Sequence, residues 1–267
     1  QNILKNTPSI DISPPDLQRL KVWRVYDRAT IEAVSKAFVE SKLFIADGHH
    51  RYEAALSYRS LVKKRRSILD GESVNYRMMM LTSINQTGLI TRGYHRTIDY
   101  PESEELDFIR QNIYRHCKLE KWFPISDSSD GIANELSETL GNRSDGEVIF
   151  GIIGLEKDSY HIARLIEINN RGTILENSEY SKLHEMIIDP AFSDKRRNIS
   201  INFRHELTGV IESIQAKKSV LGFAMRPIPL DEFFQIVTKG SRLPPKATNF
   251  FPKPSAGAVI QSLEGSL

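Results

Sequence analysis

The sequence predicts an α+β protein with a mixed sheet and flanking helices. Short apolar or alternating runs typical of strands are interleaved with longer segments of helical period, without a strict βαβ rhythm. The chain has 267 residues, of which 40% are hydrophobic and 26% charged, so it can bury a substantial core in one large domain or two lobes. We expect a motif-bearing lobe at 1–100 and a second α+β lobe at 101–267.

The first hundred residues are predicted to hold an irregular arm, two helices and three strands. Asp27 is predicted to cap the first helix. The dipeptide Asp47–Gly48 is a turn signal between a short buried strand and the second helix, so the three form a strand–turn–helix unit. The methionines of the last strand are predicted to fill the core. The predicted elements are the arm 1–19, strand Val22–Tyr26, helix Ala29–Glu40, strand Leu43–Ala46, helix His50–Lys64 and strand Tyr76–Ile84.

The remainder of the chain is predicted to alternate between helices and strands, with one hairpin that turns at Lys157–Asp158. A Pro-rich and then apolar segment, Leu243–Ile260, closes the sequence. The predicted elements are a strand pair within Leu89–Ile98, helix Glu102–His116, strand Lys118–Phe123, helix Ile132–Leu140, the hairpin of Gly146–Leu155 with Tyr160–Asn169, helix Leu183–Ile188, strand Ile199–Phe203, helix His205–Ala216, strand Val220–Met225 and helix Leu230–Thr238.

Charge and cysteine content argue against several functional classes. A formal net charge of +2 gives no global attraction to nucleic acid. The basic run Lys63–Arg66 suits a helix C-terminus, with a polyanion contact as the alternative. Cys117, the single cysteine, cannot form an intrachain disulfide or a thiolate zinc cluster and is predicted to be a small buried residue. No apolar run is long enough to span a bilayer and no signal peptide is visible, so the cytoplasm is the default location.

The segment Ala46–Arg51 has the composition of an anion site at the start of a helix. The first turn of a helix offers unpaired N–H groups and a partial positive charge. Gly48 permits a tight turn and close approach of a ligand, and Arg51 can grip phosphate oxygens with two hydrogen bonds. The cations His49, His50 and Arg51 oppose the helix dipole unless a bound phosphate or Asp47 compensates them. Asp47 could orient a histidine, bind Mg2+ or accept a proton.

Two other interpretations of this segment stay open at the level of residue types. In the first, Asp47 simply caps the helix and the histidines are ordinary surface or core residues. In the second, the histidines bind zinc, but His49 and His50 are adjacent and point in different directions on a helix, so they make poor joint ligands. His184, on a later helix, has no second histidine at zincin spacing and is predicted to be structural.

Further basic residues lie outside this segment. His95–Arg96 is a basic pair on or near a strand, and Lys246 and Lys253 lie in a loop of prolines and aromatic residues, Leu243–Lys253. Each could reach an anion, and the alternative is a surface pair and solvated lysines on a packed loop. Walker loops, dinucleotide-binding GxGxxG motifs and hydrolase elbows are absent from the sequence.

These motifs together resemble a known family. Phe44–Ala55 closely resembles the signature of the bacterial and archaeal domain of unknown function 1015 family, and four further segments resemble it in the same order along the chain. The segments are Leu20–Val25, Tyr94–Arg96, Leu183–Glu185 and Leu243–Lys253. The family's N-terminal Pro-Tyr-Asp segment has no match and the chain begins with Gln1, so we expect a C-terminal portion of the family domain.

A second resemblance concerns the core motif Asp47–Arg51 alone. It is similar to the motif of ParB/sulfiredoxin-like proteins, among them an archaeal ADP-dependent free-serine kinase, in which such a strand–turn–helix binds nucleotide phosphates. The resemblance implies a nucleotide-dependent phosphotransferase or nucleotide hydrolase that uses ATP or ADP with Mg2+. The alternative is a ParB-like nucleotide-responsive regulatory or nucleic-acid-binding module without turnover. Within this motif the expected catalytic residues are Asp47 and His50, and the expected phosphate contacts are Gly48, His49 and Arg51. Outside the motif, the basic residues His95, Arg96, Lys246 and Lys253 are expected as further phosphate contacts.

Overall fold

The structure, a computed structural model, describes residues 3–13, 19–99, 104–142, 146–166, 173–192, 200–241, 243–244, 246–253 and 257–266. The chain forms two compact units. Unit 1 contains Gln1–Leu89 and Pro252–Leu267, and unit 2 contains Ile90–Phe251. The predicted lobe boundary at residue 100 stays a prediction. Within the described ranges, no helix is long and apolar enough to cross a bilayer.

Helices and strands alternate irregularly along the chain, which confirms the α+β class. The α-helices are α1 (Arg28–Phe38), α2 (His49–Arg65), α3 (Glu104–His116), α4 (Ser129–Gly141), α5 (Glu179–Lys182), α6 (Leu207–Gln215) and α7 (Leu230–Thr238). The strands are β1 (Ile10–Ile12), β2 (Leu20–Val22), β3 (Ile90–Arg92), β4 (His95–Asp99), β5 (Cys117–Trp122), β6 (Ile149–Ile153), β7 (Tyr160–Leu165), β8 (Ile201–Arg204), β9 (Ser219–Ala224) and β10 (Asn249–Phe251). A π-helical segment, Leu183–Ile188, continues α5, and short 3₁₀ turns occupy Ile3–Lys5, Ser73–Asn75 and Asp189–Phe192.

Unit 2 is organised around a six-stranded sheet with the order β5-β7-β6-β9-β4-β8. Every described pairing in this sheet is antiparallel, so the predicted mixed sheet is corrected to an antiparallel one. The predicted hairpin is present as β6 and β7, which pair from Ile153↔Tyr160 onward. Asp158 has a φ of 53° in the turn, a left-handed conformation that aspartate tolerates better than most residues.

One face of the sheet packs against α4 and α6 to form the main core of unit 2. Leu136, Val210 and Ile211 have no exposed surface and lie in one cluster with residues of β6, β7 and β9. Each such side chain contributes about 1.5–3 kcal/mol through its burial. The close approach of α6 to β9 depends on Gly222, because a Cβ there would lie 2.6 Å from Val210 Cγ1.

Unit 1 has far less buried apolar surface than unit 2. Helix α1 begins as predicted, with the Asp27 carboxylate accepting a 2.8 Å hydrogen bond from the Thr30 N–H. Its apolar residues Ile31, Val34 and Phe38 are nevertheless 41–52% exposed. None of the described residues of α1 or α2 is buried. Val74 is the sole buried hydrophobic residue among the described residues of unit 1.

Several predicted elements of unit 1 are wrong. Leu43–Ala46 and Tyr76–Ile84 form no strand, and the three methionines of the second segment are 45–65% exposed rather than core. The predicted arm contains β1, which pairs with β2 at Ile10↔Val22. A strand requires a partner backbone as well as an apolar pattern, and neither wrong segment has one among the described residues.

Two glycine substitutions test the packing of α6 on the sheet. Gly222→Ala places a methyl group against Val210 and is expected to lower the free energy of unfolding by about 1–3 kcal/mol. Gly209→Ala, within α6, meets no heavy atom within 4 Å and is expected to raise it by about 0.5–1 kcal/mol. Urea denaturation of both variants measures the difference. Equal effects would contradict the described contact between α6 and β9.

Candidate functional site

The start of α2 has the geometry that anion binding at a helix N-terminus requires. Gly48 is the residue before the helix, and its φ of 86° lies in the left-handed region that favours glycine. Its carbonyl accepts the first intrahelical hydrogen bond, from Tyr52 N–H at 3.0 Å. The N–H groups of the first turn therefore have no acceptor within the helix, and none of the described side chains caps them. The predicted turn and helix are present here without the predicted preceding strand.

Asp47 joins two of the predicted cationic residues. Its Oδ2 lies 3.6 Å from Arg51 Nη2 and 3.9 Å from Lys253 Nζ. The three side chains are 44–64% exposed, so each ion pair contributes little to stability. The negative charge of Asp47 thus offsets the positive charges at the first turn of the helix. Because the ion pairs are exposed and long, a bound anion can take the place of the Asp47 carboxylate.

The two histidines point outward. The His50 side chain is 96% exposed and its Nδ1 lies 3.7 Å from Glu53 Oε2, and His49 is also exposed. Nowhere in the described part of the chain do three or more His, Cys, Asp or Glu side chains form a group that could hold a metal ion. The described geometry therefore offers exposed imidazoles at the helix start rather than a formed metal centre.

Arg51 also lines a cavity that the sequence did not reveal. The cavity has a volume of about 290 Å³ and lies entirely within unit 1. Among the described lining residues, Arg51 and Arg77 carry charge and none is a carboxylate. Tyr58 and Tyr76 provide aromatic walls. The remaining lining residues are Ala54, Ala55, Val74 and Leu263.

Arg77 is the main functional candidate missed by sequence reasoning. It falls within the segment predicted as a methionine-rich strand, and the structure shows a coil there. Arg77 has no ion-pair partner among the described residues. Tyr76 and Arg77 are about 25 residues from Arg51 along the chain, so only tertiary structure could bring them to one cavity.

The other predicted contacts belong to unit 2. The buried Nδ1 of His95 accepts a hydrogen bond from Met225 N–H at 3.1 Å, which places the imidazole proton on Nε2. Burial, together with Arg96 and His205, lowers the pKa of His95 to about 4. His95 is therefore neutral at pH 7 and brings no positive charge to an anion. Lys246 Nζ lies 5.4 Å from the centre of the Tyr94 ring, in a cation–π contact.

The basic run Lys63–Arg66 and Cys117 have the positions that were predicted for them. The basic run Lys63–Arg66 lies at the C-terminal end of α2, and Arg66 forms a 2.6 Å ion pair with Glu72. Cys117 is buried, as predicted, and burial raises the pKa of its thiol to about 12. A thiol in that state is a poor nucleophile.

Comparison with known proteins identifies the family. The family described as "Protein of unknown function (DUF1015)" matches residues 1–184 of the chain. The chain belongs to this family. No curated protein matches this DUF1015 member.

Solved structures resemble this DUF1015 protein at low identity. A conserved hypothetical protein from Pyrococcus furiosus is 15% identical, with a TM-score of 0.44 over 83% of this chain and 81% of that one. Free serine kinase in complex with AMP is 15% identical, with a TM-score of 0.42 over 85% and 81% of the two chains. A mutant of free serine kinase in complex with ADP is 17% identical, with a TM-score of 0.40 over 83% and 78%. At such low TM-scores we take no residue role from these proteins.

Substitution of Gly48 tests the described start of α2. Alanine disfavours a left-handed φ, and its Cβ would lie 3.2 Å from Arg51 Nη2. Gly48→Ala is expected to lower the free energy of unfolding by about 1–2 kcal/mol. Gly71→Ala is the matched control in unit 1, because its Cβ meets nothing within 4 Å and its φ is not left-handed. Urea denaturation measures the free energy of unfolding of both variants. If Gly48→Ala left it unchanged, the start of α2 would differ from the one described.

Alkylation tests the environment of Cys117. In the native protein at pH 8 we expect iodoacetamide to react at least about a hundredfold more slowly than in urea, since burial restricts access and suppresses the thiolate. Mass spectrometry over a time course measures both rates. Rapid native alkylation would show that β5 does not bury this thiol.

Proposed function

We propose that unit 1 binds the phosphate groups of a nucleotide between the start of α2 and the cavity beside it, in support of phosphoryl transfer or nucleotide hydrolysis. The observation that carries this proposal is the cavity that Arg51 and Arg77 line, with no carboxylate among its described lining residues. Arg77 has no ion-pair partner among the described residues, and Arg51 pairs only at 3.6 Å with the exposed Asp47, outside the cavity lining. Two cations arranged in this way on a concave surface favour an anionic ligand.

Three sources of positive potential converge on the proposed phosphate position. The first turn of α2 offers free N–H groups and the positive end of the helix dipole. Arg51 offers a guanidinium fork that matches two phosphate oxygens. Lys253 contributes a point charge near Asp47 Oδ2. Gly48 has no side chain to obstruct the ligand's approach to the first-turn N–H groups.

The aromatic walls favour a nucleotide over a bare phosphate. Tyr58 and Tyr76 can stack on a flat base or pack against a sugar, and the small apolar residues leave room beside them. About 290 Å³ lies near the lower limit of ligand pockets, so part of the ligand remains in solvent. The Asp47–Arg51 motif resemblance, which implies nucleotide phosphates, agrees with this ligand class.

Asp47 and His50 are proposed as the catalytic positions. When phosphate oxygens replace Asp47 as the partner of Arg51 and Lys253, the Asp47 carboxylate becomes available to accept a proton or to bind Mg2+. His50 is exposed at the first turn, where its Nε2 can donate to a phosphate oxygen. Phosphoryl transfer needs mainly positioning and charge neutralisation, which these residues provide. The assignment of His95, Arg96 and Lys246 as further phosphate contacts stays a prediction.

Isothermal titration calorimetry with ATP, ADP and CTP, each with and without Mg2+, tests the proposal. Arg51→Met removes the guanidinium and keeps the aliphatic stem. It is expected to weaken nucleotide binding about 10–100-fold, as for the loss of a charge-assisted hydrogen-bond pair. Arg28→Met is the matched control, because Arg28 is an arginine of unit 1 whose side chain is 91% exposed and pairs with Glu32.

The proposal fails if none of the three nucleotides binds saturably to the full chain, or if Arg28→Met weakens binding as much as Arg51→Met. Product analysis with the bound nucleotide then separates turnover from a binding module. Loss of turnover with retained binding in Asp47→Asn would support the catalytic role of that carboxylate.

A further inference from the structure

Unit 2 contains a buried arginine whose charge the described structure does not neutralise. Arg96 lies on β4, between β8 and β9, and none of its surface is exposed. Its Nη1 donates to the Tyr94 carbonyl, and its Nε lies 3.4 Å from His184 Nε2. Its Nη2 has no hydrogen-bond partner among the described residues. No described carboxylate forms an ion pair with it.

A second arginine of the same unit lies beside acids. The Arg226 side chain is 11% exposed, and its Nε lies 3.0 Å from Glu179 Oε1. Its Nη2 lies 3.7 Å from Glu232 Oε1 but has no hydrogen-bond partner among the described residues. Two acids therefore form ion pairs with the Arg226 guanidinium, and no described acid forms one with that of Arg96. A buried charge without a counter-ion costs several kcal/mol, so an unpaired one calls for an explanation.

Aromatic rings compensate the Arg96 charge only in part. The guanidinium carbon lies 4.8 Å from the centre of the Tyr180 ring and 5.1 Å from that of the Phe203 ring. Cation–π contacts of this kind stabilise a guanidinium but do not cancel its charge. Burial lowers the pKa of Arg96 to about 10, so the guanidinium still carries its proton at pH 7.

The underused donors of Arg96 lie on one edge of the guanidinium. Nε–H and the nearer Nη2–H point in the same direction, and this is an edge that binds two oxygens of a carboxylate or phosphate. His184 Nε2 occupies that edge with a single acceptor at a long distance. A single nitrogen, His184 Nε2, therefore faces an edge that has donors for two oxygens.

His184 is also the accessible part of this cluster. It lies in the π-helical segment Leu183–Ile188, and its side chain is 23% exposed. Its Nδ1 contacts Asp189 Oδ1 at 3.1 Å, which fixes the proton on Nδ1 and leaves Nε2 as the acceptor for Arg96. π-Helical segments are rare in proteins, and those that occur are often found at functional sites. Rotation of His184 toward solvent would expose the Nε and Nη2 edge.

We propose that the Nε and Nη2 edge of Arg96 binds the oxyanion group of a small ligand, a carboxylate or a phosphoryl group, which displaces His184. The ligand supplies the negative charge that the described residues do not. This site lies within unit 2 and does not rest on the nucleotide site proposed for unit 1.

Arginine side-chain NMR tests the site directly. The full chain carries ¹⁵N-labelled arginine, and Arg96→Lys assigns the Nε–H resonance of Arg96. Inorganic phosphate and, in a separate arm, acetate are added up to about 20 mM at constant ionic strength. We expect a saturable shift of the Arg96 Nε–H resonance with at least one of them. Arg226 is the internal control, and its Nε–H resonance should not move because Nε already donates a hydrogen bond to Glu179.

The two arms distinguish the sources of the anion. A response to phosphate alone assigns a phosphoryl ligand, and a response to acetate alone assigns a carboxylate. Absence of any Arg96 shift with both anions overturns the proposal, as does an equal shift of Arg226, which would report a general salt effect. The Arg51→Met background removes any contribution of the unit 1 site without touching the unit 2 residues.

A second variant tests the role of His184 without removing Arg96. If the imidazole competes with the ligand, His184→Ala should bind the responding anion roughly tenfold more tightly, because no imidazole has to leave the Nε and Nη2 edge of Arg96. Unchanged or weaker binding would contradict displacement of His184. Thermal denaturation of Arg96→Met supplies a readout that does not depend on NMR. That variant should lose the anion-dependent rise in Tm, about 5 °C at a hundredfold excess over Kd, that the wild-type chain shows.

Discussion

The hydrogen-bonded pairing of β4 on both of its edges is the constraint on which unit 2 depends. β4 pairs with β9 on one side and with β8 on the other, so its backbone can neither rotate nor slip. Successive side chains of a strand point to opposite faces. His95 and Arg96 are neighbours in sequence and would form one basic pair in a loop. On β4 they are directed to different layers, and only Arg96 reaches the π-helical segment with its guanidinium.

The accuracy of the sequence predictions follows the density of packing. In unit 2 most helices and strands were predicted to within a few residues, because each apolar pattern meets a partner face that enforces it. The short elements α5 and β10 were not predicted. α7 was predicted at its exact bounds, and the hairpin of β6 and β7 was found where it was expected. In unit 1 the same patterns failed at Leu43–Ala46 and Tyr76–Ile84. The spacing of apolar residues predicts which face of a strand would be buried. It does not predict whether another strand is present to pair with it.

The candidate site could be predicted only where its residues are adjacent in sequence. The Asp47–Gly48 turn and the helix that follows were predictable because glycine and the helix signals act locally. Arg77 and Tyr76 could not be found, since a coil with no period brings them to the cavity beside Arg51. The unpaired state of Arg96 was equally invisible. Whether a buried charge has a counter-ion depends on all the residues packed around it, and no local sequence motif predicts that.

Unit 1 is discontinuous in the chain, and this affects the order in which the protein can assemble. Its last segment follows unit 2 in sequence, and Ser73 N–H donates to Gly265 O while Glu72 bridges to Ser266. Pairings between segments so distant in sequence carry a large loop-closure entropy and form late. Lys253 belongs to the segment that follows unit 2, so its contact with Asp47 can form only after unit 2 has been synthesised. Until then the candidate anion site lacks one of its cations.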